Sequence, residues 1–490
     1  MTPKFPTMDN AKLDTFFFFV PNRLVWDHWK EFLGENNSSE EPWTQPMNFK
    51  VPQMTVPLFS NGNNRTPSDL ANYLGIPYRQ FQQTGLNQMK VSALPFRMVA
   101  KVWNDWFRDE NYQLPCHIYT DETVPQWNVT SGANYVTGVE MGVTCPPVNR
   151  YKDYFSSCLP QPQKGAAVEL PLGEYAPLVQ GKGNDVPFML NGAETSAAIG
   201  VQGVGKSVRT IQSGTSVNFS STPLTMTYAA DLSNATAASV NALRLAFATQ
   251  RFLEASARGG TRYTELLLSM FGANAPDASL QRSEFLGGKS FPLSITPVTN
   301  IGQSDSLGTV GGMSNTVSGD YAFKKHFTEH GYILGFCCVR TDRSYSQGIA
   351  RHWMRKEKTD FYFPVFANIG ETPVKNYEIY ATGSATGNPS TDDDNPFGYQ
   401  EAWAEYRFAQ NEATGLLRSG IPNSLNAWTY TDEYTSLPVL NSAWLTSQKE
   451  IIDRTIVNQN EHQFIADFFF DDVSYRVLPA YSIPGLIDHG

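Results

Sequence analysis

Charge is scarce in this 490-residue chain: Asp, Glu, Lys and Arg make up 17% of it, where about a quarter is usual. An excess of basic residues is absent. With 37 Lys and Arg against 47 Asp and Glu, the formal net charge is −10. That argues against a protein whose main work is gripping phosphate by its own charge. Contact with nucleic acid would need a local basic surface or a separate basic protein. Cysteine is sparse and odd in number, at Cys116, Cys145, Cys158, Cys337 and Cys338, with no CxxC pair. This points to buried thiols in a reduced compartment and away from a disulfide frame. No apolar run reaches the roughly 18 to 20 residues that span a membrane, so membrane insertion is not expected. The first residues lack the charged, apolar and small-residue regions of a signal peptide, and a cytoplasmic origin is the default. No GxSxG elbow occurs.

Aromatic residues are what the chain has in abundance: 22 Tyr, 31 Phe and 10 Trp, 13% of the sequence. Few charges and many aromatics suit large buried or interfacial surfaces, because interface cores are rich in aromatics and poor in Lys and Glu. An aromatic-rich β protein is the equal alternative. The densest run is "DTFFFFVPNRLVW", where Phe16, Phe17, Phe18 and Phe19 stand in a row. Its length and residue types predict a strand. A strand with one wet face would alternate apolar and polar residues, and this one does not. Both faces are therefore expected to be covered.

After the run, Val25, Trp29, Phe32 and Leu33 fall at helical spacing and Gly34 supplies a stop. A second short helix is predicted in "FRMVAKVWNDWFRDENY", with Val99, Val102, Trp103, Trp106 and Phe107 on one face. Residues 165–230 are rich in Gly, Ser, Thr, Asn and Ala, which reads as a surface excursion or as a linker. A strong helical period follows over 236–272, broken at Gly259-Gly260 and ended at Gly272, with Glu254 and Arg258 spaced to pair. Then "YILGFCCVR", "FYFPVFANI", "AEYRFAQ", "QFIADFFF" and "SYRVLPAYSI" read as short strands. Strands early and late with helices between predict one β-sandwich or barrel carrying long insertions, divided as 1–164, 165–230 and 231–490.

Several motifs tempt. Gly200 to Ser207 matches GxxxxGK[ST], in which Lys206 would reach phosphates and Ser207 would hold magnesium. The mechanism needs an apolar strand before the loop and a helix after it, and neither flank qualifies. His326, Glu329 and His330 match HxxEH. Gly331 and a strand follow at once, whereas one zinc needs both imidazoles on one helix face. The aspartates Asp392 to Asp394 would bind calcium or simply be solvated, and Arg258 and Arg262 at a helix break would touch phosphate or be structural. None of these supports a catalytic residue, a cofactor or a metal.

Longer stretches carry more. "LDTFFFFVPNRLVWDHWKEFLGE" (13–35), "SALPFRMVAKVWNDWFRDENYQLP" (92–115), "YKDYFSSCLPQPQKG" (151–165) and "LRLAFATQRFLEASARGGTRYTELLLSMFG" (243–272) resemble the major capsid proteins of Microviridae phages, gokushovirus branch. The likeness continues through "PDASLQRSEFLGG" (276–288), "FTEHGYILGFCCVR" (327–340), "FGYQEAWAEYRF" (397–408) and "YSIPGLIDH" (481–489). The resemblance implies a mainly β chain: an eight-stranded antiparallel jelly roll with long inserted loops and a few short helices, whose opposing sheet would cover one face of the phenylalanine strand and whose insertions, the following helix or a neighbouring subunit the other. It implies a non-enzymatic shell protein, one copy per asymmetric unit of a small icosahedral capsid, located in the virion and assembled in the host bacterial cytoplasm. The partners implied are other copies of the chain, a packaged circular single-stranded DNA, a small basic DNA-binding virion protein and a host cell-surface receptor. Residues 165–230 take the position of a threefold spike, and Phe188 and Met189 in its most apolar piece become candidate host contacts. Phe16 to Phe19, Trp26, Trp29, Trp103 and Trp106 become candidate packing or interface aromatics. Family chains begin with further strand sequence upstream of the "MDN" stretch, so one or more N-terminal jelly-roll strands are expected to be missing here. A cytoplasmic β-sandwich enzyme or carbohydrate-binding protein is the alternative from another class.

Overall fold

The computed structural model describes residues 3–5, 7, 9–35, 49–58, 67–79, 88–124, 144–166, 168, 178–180, 199–201, 208–210, 228–230, 240–299, 310–386, 389–447, 449–457 and 463–476. The chain separates into two compact units, one formed by Met1–Pro162 with Arg258–Gly490 and the other by Gln163–Ala257. In the smaller unit, strands Leu178–Gln180 and Tyr228–Ala230 pair antiparallel, as do Ile199–Val201 and Val208–Thr210. A helix beginning at Val240 follows.

The phenylalanine run forms the middle of the larger unit. Ala11–Pro21 is an 11-residue strand, flanked antiparallel by Gly331–Thr341 on one edge and Glu284–Pro292 on the other. Aromatic side chains suit this pleated, two-sided setting. Opposite Phe16 and Phe17 stand Gly288 and Gly287, and the register slips between Phe17 and Phe18. A Cβ on Gly287 would lie 2.5 Å from the Ala322 carbonyl oxygen, and one on Gly288 2.5 Å from that of Thr15. Two consecutive glycines thus let three backbones come together at the bulge. Near the start of the strand, Asp14 is buried and held by Arg340 (Nε to Oδ2, 2.7 Å) and by the Tyr151 hydroxyl (2.6 Å).

Both faces of the strand are covered, by elements of this same chain. Phe16 and Phe18 point to one side, where Phe107 (5.3 and 5.9 Å between ring centres) and Trp106 (5.6 Å from Phe18) close over them. Phe17 and Phe19 point to the other. There Phe323 lies 5.7 Å from Phe17 and Phe327 4.5 Å from Phe19, with Phe470 edge-on to Phe17 at 6.4 Å. The expected opposing sheet is thus a helix, and the second cover is the loop entering strand Gly331–Thr341.

That helix is Leu94–Val102, started by Pro95 in its first turn and continued by a π turn over Trp103–Phe107, where Arg108 N–H donates to the Trp103 carbonyl at 2.9 Å. Arg97, wholly buried, donates to the carbonyls of Val25 (3.0 Å), Asp121 (2.8 Å) and Thr123 (2.9 Å), so its buried charge is met by three backbone acceptors. After the phenylalanine strand the chain makes a 3-10 turn, Asn22–Leu24, and only one helical turn, Trp29–Phe32. The glycine breaks behave as expected: Gly260 has φ +103°, helix Tyr263–Phe271 follows, and Gly272 closes it at φ +65°.

The remaining strands are short. Among the described residues there are one three-stranded sheet and six two-stranded ones, a β-rich architecture with a few short helices. Strand Gly331–Thr341 lies where "YILGFCCVR" predicts it. Three other predicted strands are not strands. "FYFPVFANI" turns through the 3-10 helix Pro364–Phe366, because Pro364 lacks the N–H a ladder needs. "AEYRFAQ" turns through Ala404–Tyr406 after Trp403, whose φ of +67° breaks extension. "QFIADFFF" pairs with no strand among the described residues. In "SYRVLPAYSI", Ser474 to Arg476 are not strand and the rest lies outside the described residues.

Candidate functional site

The aromatic candidates separate by environment. Trp26 and Trp103 are fully buried in the core cluster that also holds Phe18, Val20 and Met98. Trp103 donates its indole N–H to the Pro147 carbonyl at 2.9 Å. Trp29 is half-buried against Trp26, Phe32 and His330. Trp106 donates to the Ser283 carbonyl and hydroxyl (3.0 and 3.1 Å) beneath the Arg282 guanidinium, 4.3 Å from its ring centre. The structure thus brings Phe16, Phe18, Trp26, Trp29, Trp103 and Trp106 around one core, with Phe17 and Phe19 on the opposite side of the strand. Phe188 and Met189 lie outside the described residues, as do Lys206 and Ser207 of the phosphate-loop pattern.

The other motifs resolve into structural contacts. His326 and His330 lie in the loop before Gly331, not on a helix. Glu329 pairs with Arg23 at 2.6 Å, and the His330 carbonyl accepts from Asn22 N–H at 3.0 Å. Among the described residues, no group of three or more His, Cys, Asp or Glu is placed to hold a metal. Asp392 to Asp394 form most of the short helix Thr391–Asp394, where Asp392 and Asp394 are solvent-exposed, as a charge run would be, and Asp393 is buried. Burial alone would raise the Asp393 carboxyl pKa. The backbone N–H groups of Thr382, Ser390 and Gly383 and the Thr382 hydroxyl donate to it and hold it well below the usual carboxylate range. Arg258 does not pair with Glu254 but reaches Glu371 (2.9 Å) and Glu401 (3.2 Å). Arg262 binds Glu110 and the Arg108 carbonyl. Neither arginine is free for phosphate.

A buried ionic cluster joins three distant segments. Asp432 accepts from Arg150 (2.9 Å), Arg343 (3.2 Å) and the Tyr434 hydroxyl (2.6 Å). The Arg150 guanidinium also lies 4.0 Å over the Trp444 ring. All three charged side chains are buried, so each depends on the others. The cluster is scaffold: it ties Arg150, Arg343 and Asp432 together inside the larger unit.

The surface feature that sequence reasoning missed is an aromatic platform on residues 351–366 and 403–408. It is built from 3-10 turns, Arg351–Met354, Lys358–Asp360, Pro364–Phe366 and Ala404–Tyr406. Trp403 donates its indole N–H to the Phe366 carbonyl (2.8 Å), and Tyr362 meets Trp403 edge-on at 5.5 Å. The Arg355 guanidinium, bound to Glu405 at 3.1 Å, lies 4.7 Å over the Tyr406 ring and 5.9 Å from Phe361. Asp360 accepts from Glu357 N–H and Lys356 N–H, which pull its pKa down and fix the turn. Trp353, Phe361, Tyr362, Phe363, Val365 and Tyr406 nevertheless stay exposed. A fixed, solvent-facing aromatic and arginine surface has the composition of an interface core. The signal available in the sequence was Pro364 within an aromatic run flanked by Arg355, Lys356 and Lys358.

Comparison with known proteins agrees with a structural role. A family model described as "Capsid protein (F protein)" matches residues 1–486. The chain is 38% identical over 500 residues to capsid protein VP1 of Spiroplasma virus 4, covering 98% of this chain and 86% of that one. It is 35% identical over 493 residues to capsid protein VP1 of Bdellovibrio phage phiMH2K, with the same coverage. To capsid protein VP1 of Chlamydia phage 1 it is 32% identical over 535 residues, covering 98% and 87%.

Proposed function

The chain belongs to the phage capsid protein (F protein) family, and on that premise we propose that its copies close into a small icosahedral shell around a circular single-stranded DNA. It is a structural protein of the virion, not an enzyme, and its work is association with itself around the viral genome. Identical copies under closed symmetry must repeat the same contacts, so each contact patch meets one fixed partner patch. The observation that carries the reading is the exposed aromatic platform, a surface that an isolated, soluble monomer would bury.

The finer proposals follow from the same reading. The described strands are elements of an eight-stranded jelly roll. Residues 165–230 form a spike that contacts a host surface receptor, with Phe188 and Met189 in its apolar piece. The net charge of −10 supports a separate small basic protein as the counter-charge for the packaged DNA. Electron microscopy of the expressed chain tests the shell: uniform closed particles are expected, and monodisperse monomers under all assembly conditions refute it. Deleting 165–230 should leave shells and abolish adsorption to host cells, and particles that adsorb normally would remove the spike from its role.

A further inference from the structure

The described residues carry a second uncovered apolar surface, the segment 463–476, which forms neither helix nor strand. Every residue from Ile465 to Arg476 is exposed, with Phe468 (42%) and Phe470 (65%) less so than Phe469 between them. On one side Phe464 packs against the cluster around Tyr430, Ile451 and Ile452, and Phe468 and Phe470 stack on each other, with Phe470 against Phe17. On the other side Ile465 (96% exposed), Phe469 (92%) and Tyr475 (95%) project outward with Val473, interleaved by Asp467 and Asp471. The even-numbered rings make the contacts and the odd-numbered side chains project, as in an extended chain.

We propose that this outward row of one copy docks on the aromatic platform of a second copy. In a single chain the two do not cover each other: Trp353 is 75% and Val365 87% exposed, as the row itself is. The charges match. Lys356 and Lys358 are exposed at the platform and make no ion pair among the described residues, and neither do Asp467 and Asp471 of the row. A nucleic acid is the poorer occupant of the platform. Its guanidiniums are already neutralised, Arg351 by Glu378, Arg355 by Glu405 and Arg407 by Glu401, so only the two lysines are left for phosphates. A contact between this segment of one copy and the platform of the next joins two different patches, the kind of contact that builds a ring when the rotation between copies closes, as it does in a shell. An extended, acidic and aromatic row on a fixed aromatic bed needs little ordering of the bed, because the Trp403–Phe366 bond and the Arg355 stack already hold it.

This inference rests on the shell reading, and native chain run in parallel separates the two: if native chain forms no particles, the shell reading fails first. The test uses full-length Asp467→Lys/Asp471→Lys, Lys356→Glu/Lys358→Glu and the combination of all four. Near-UV circular dichroism confirms that each folds. Each pair alone should lower particle yield at least tenfold, and the combination should restore it to within about threefold of native. Mixed, the two separate variants should associate in sedimentation velocity, while each alone stays monomeric. Native yields from either pair, no rescue by the combination, or no association in the mixture would overturn the proposal. So would loss of single-stranded oligonucleotide binding by Lys356→Glu/Lys358→Glu with assembly unchanged, which would make the platform a nucleic-acid site.

Discussion

Phe18→Ala and Phe17→Ala differ by one position in one strand, yet they should differ severalfold in cost. Phe18 is 1% exposed and its ring meets Trp106, Phe107, Phe285 and Phe336 at 5.5 to 5.9 Å. The helix and the two flanking strands that hold those rings cannot collapse into the gap. Truncation should therefore cost about 3–5 kcal/mol, the transfer term plus a cavity. Phe17 is half-buried, with Phe323 and Phe470 as its ring partners. Full burial of such a ring contributes about 1.5–3 kcal/mol, so half-burial under a loop that can settle should cost about 1–2 kcal/mol. The assay is denaturant unfolding of unassembled subunits followed by tryptophan fluorescence, with Trp106 lying 5.6 Å from the Phe18 ring as a local reporter. A shift of midpoint at unchanged slope reports stability. If Phe17→Ala costs as much as Phe18→Ala, or Phe18→Ala costs under about 1 kcal/mol, the account of a closed helix-covered face and a looser loop-covered face is wrong.

Asp432→Asn leaves the Arg150 and Arg343 guanidiniums buried with no carboxylate, and should cost about 3–5 kcal/mol in the same unfolding assay. Asp393→Asn should cost about 1.5–3 kcal/mol at neutral pH through its lost charge-assisted bonds. Because the folded pKa of Asp393 is depressed, its contribution is fully present above the unfolded value of about 4 and is lost as pH falls through the folded one. Acid titration of stability should then be shallower below about pH 4 in the variant than in the native chain, and parallel curves would contradict the capping role.

Much of the fold was legible where one residue type decided the backbone. The phenylalanine run gave a strand because its ring density suits only a two-sided pleat, and the Gly259-Gly260 and Gly272 breaks fell as expected, since a left-handed φ excludes most other residues. What covers the strand was not legible. Phe323, Phe327 and Phe470 sit in segments with no periodic pattern, and their contact with Phe17 and Phe19 is set by tertiary packing over some 300 to 450 positions. The buried Arg150, Arg343 and Asp432 were equally silent, because an isolated charge in a sequence carries no mark of its partners.

The site was hidden for a different reason. Aromatic residues have two destinations in this chain, and local composition does not separate them. Phe16 to Phe19 lie on a strand whose unbroken apolar run demands cover on both sides, and Trp103 follows a helix whose apolar face turns inward. Phe361, Tyr362 and Phe363 lie between two 3-10 turns and Tyr406 in a third, with no such pattern, and these read as strands. The difference is carried by the backbone breakers and the cations beside them. Pro364 and the positive φ of Trp403 prevent a ladder, while Arg355 satisfies its charge on Glu405 and spreads its plane over Tyr406. A ring held from beneath by a paired guanidinium can stay in water without collapsing inward. Exposed aromatics of that kind are ordered before any partner arrives, and a contact repeated through a closed shell gains most from surfaces whose ordering cost is already met.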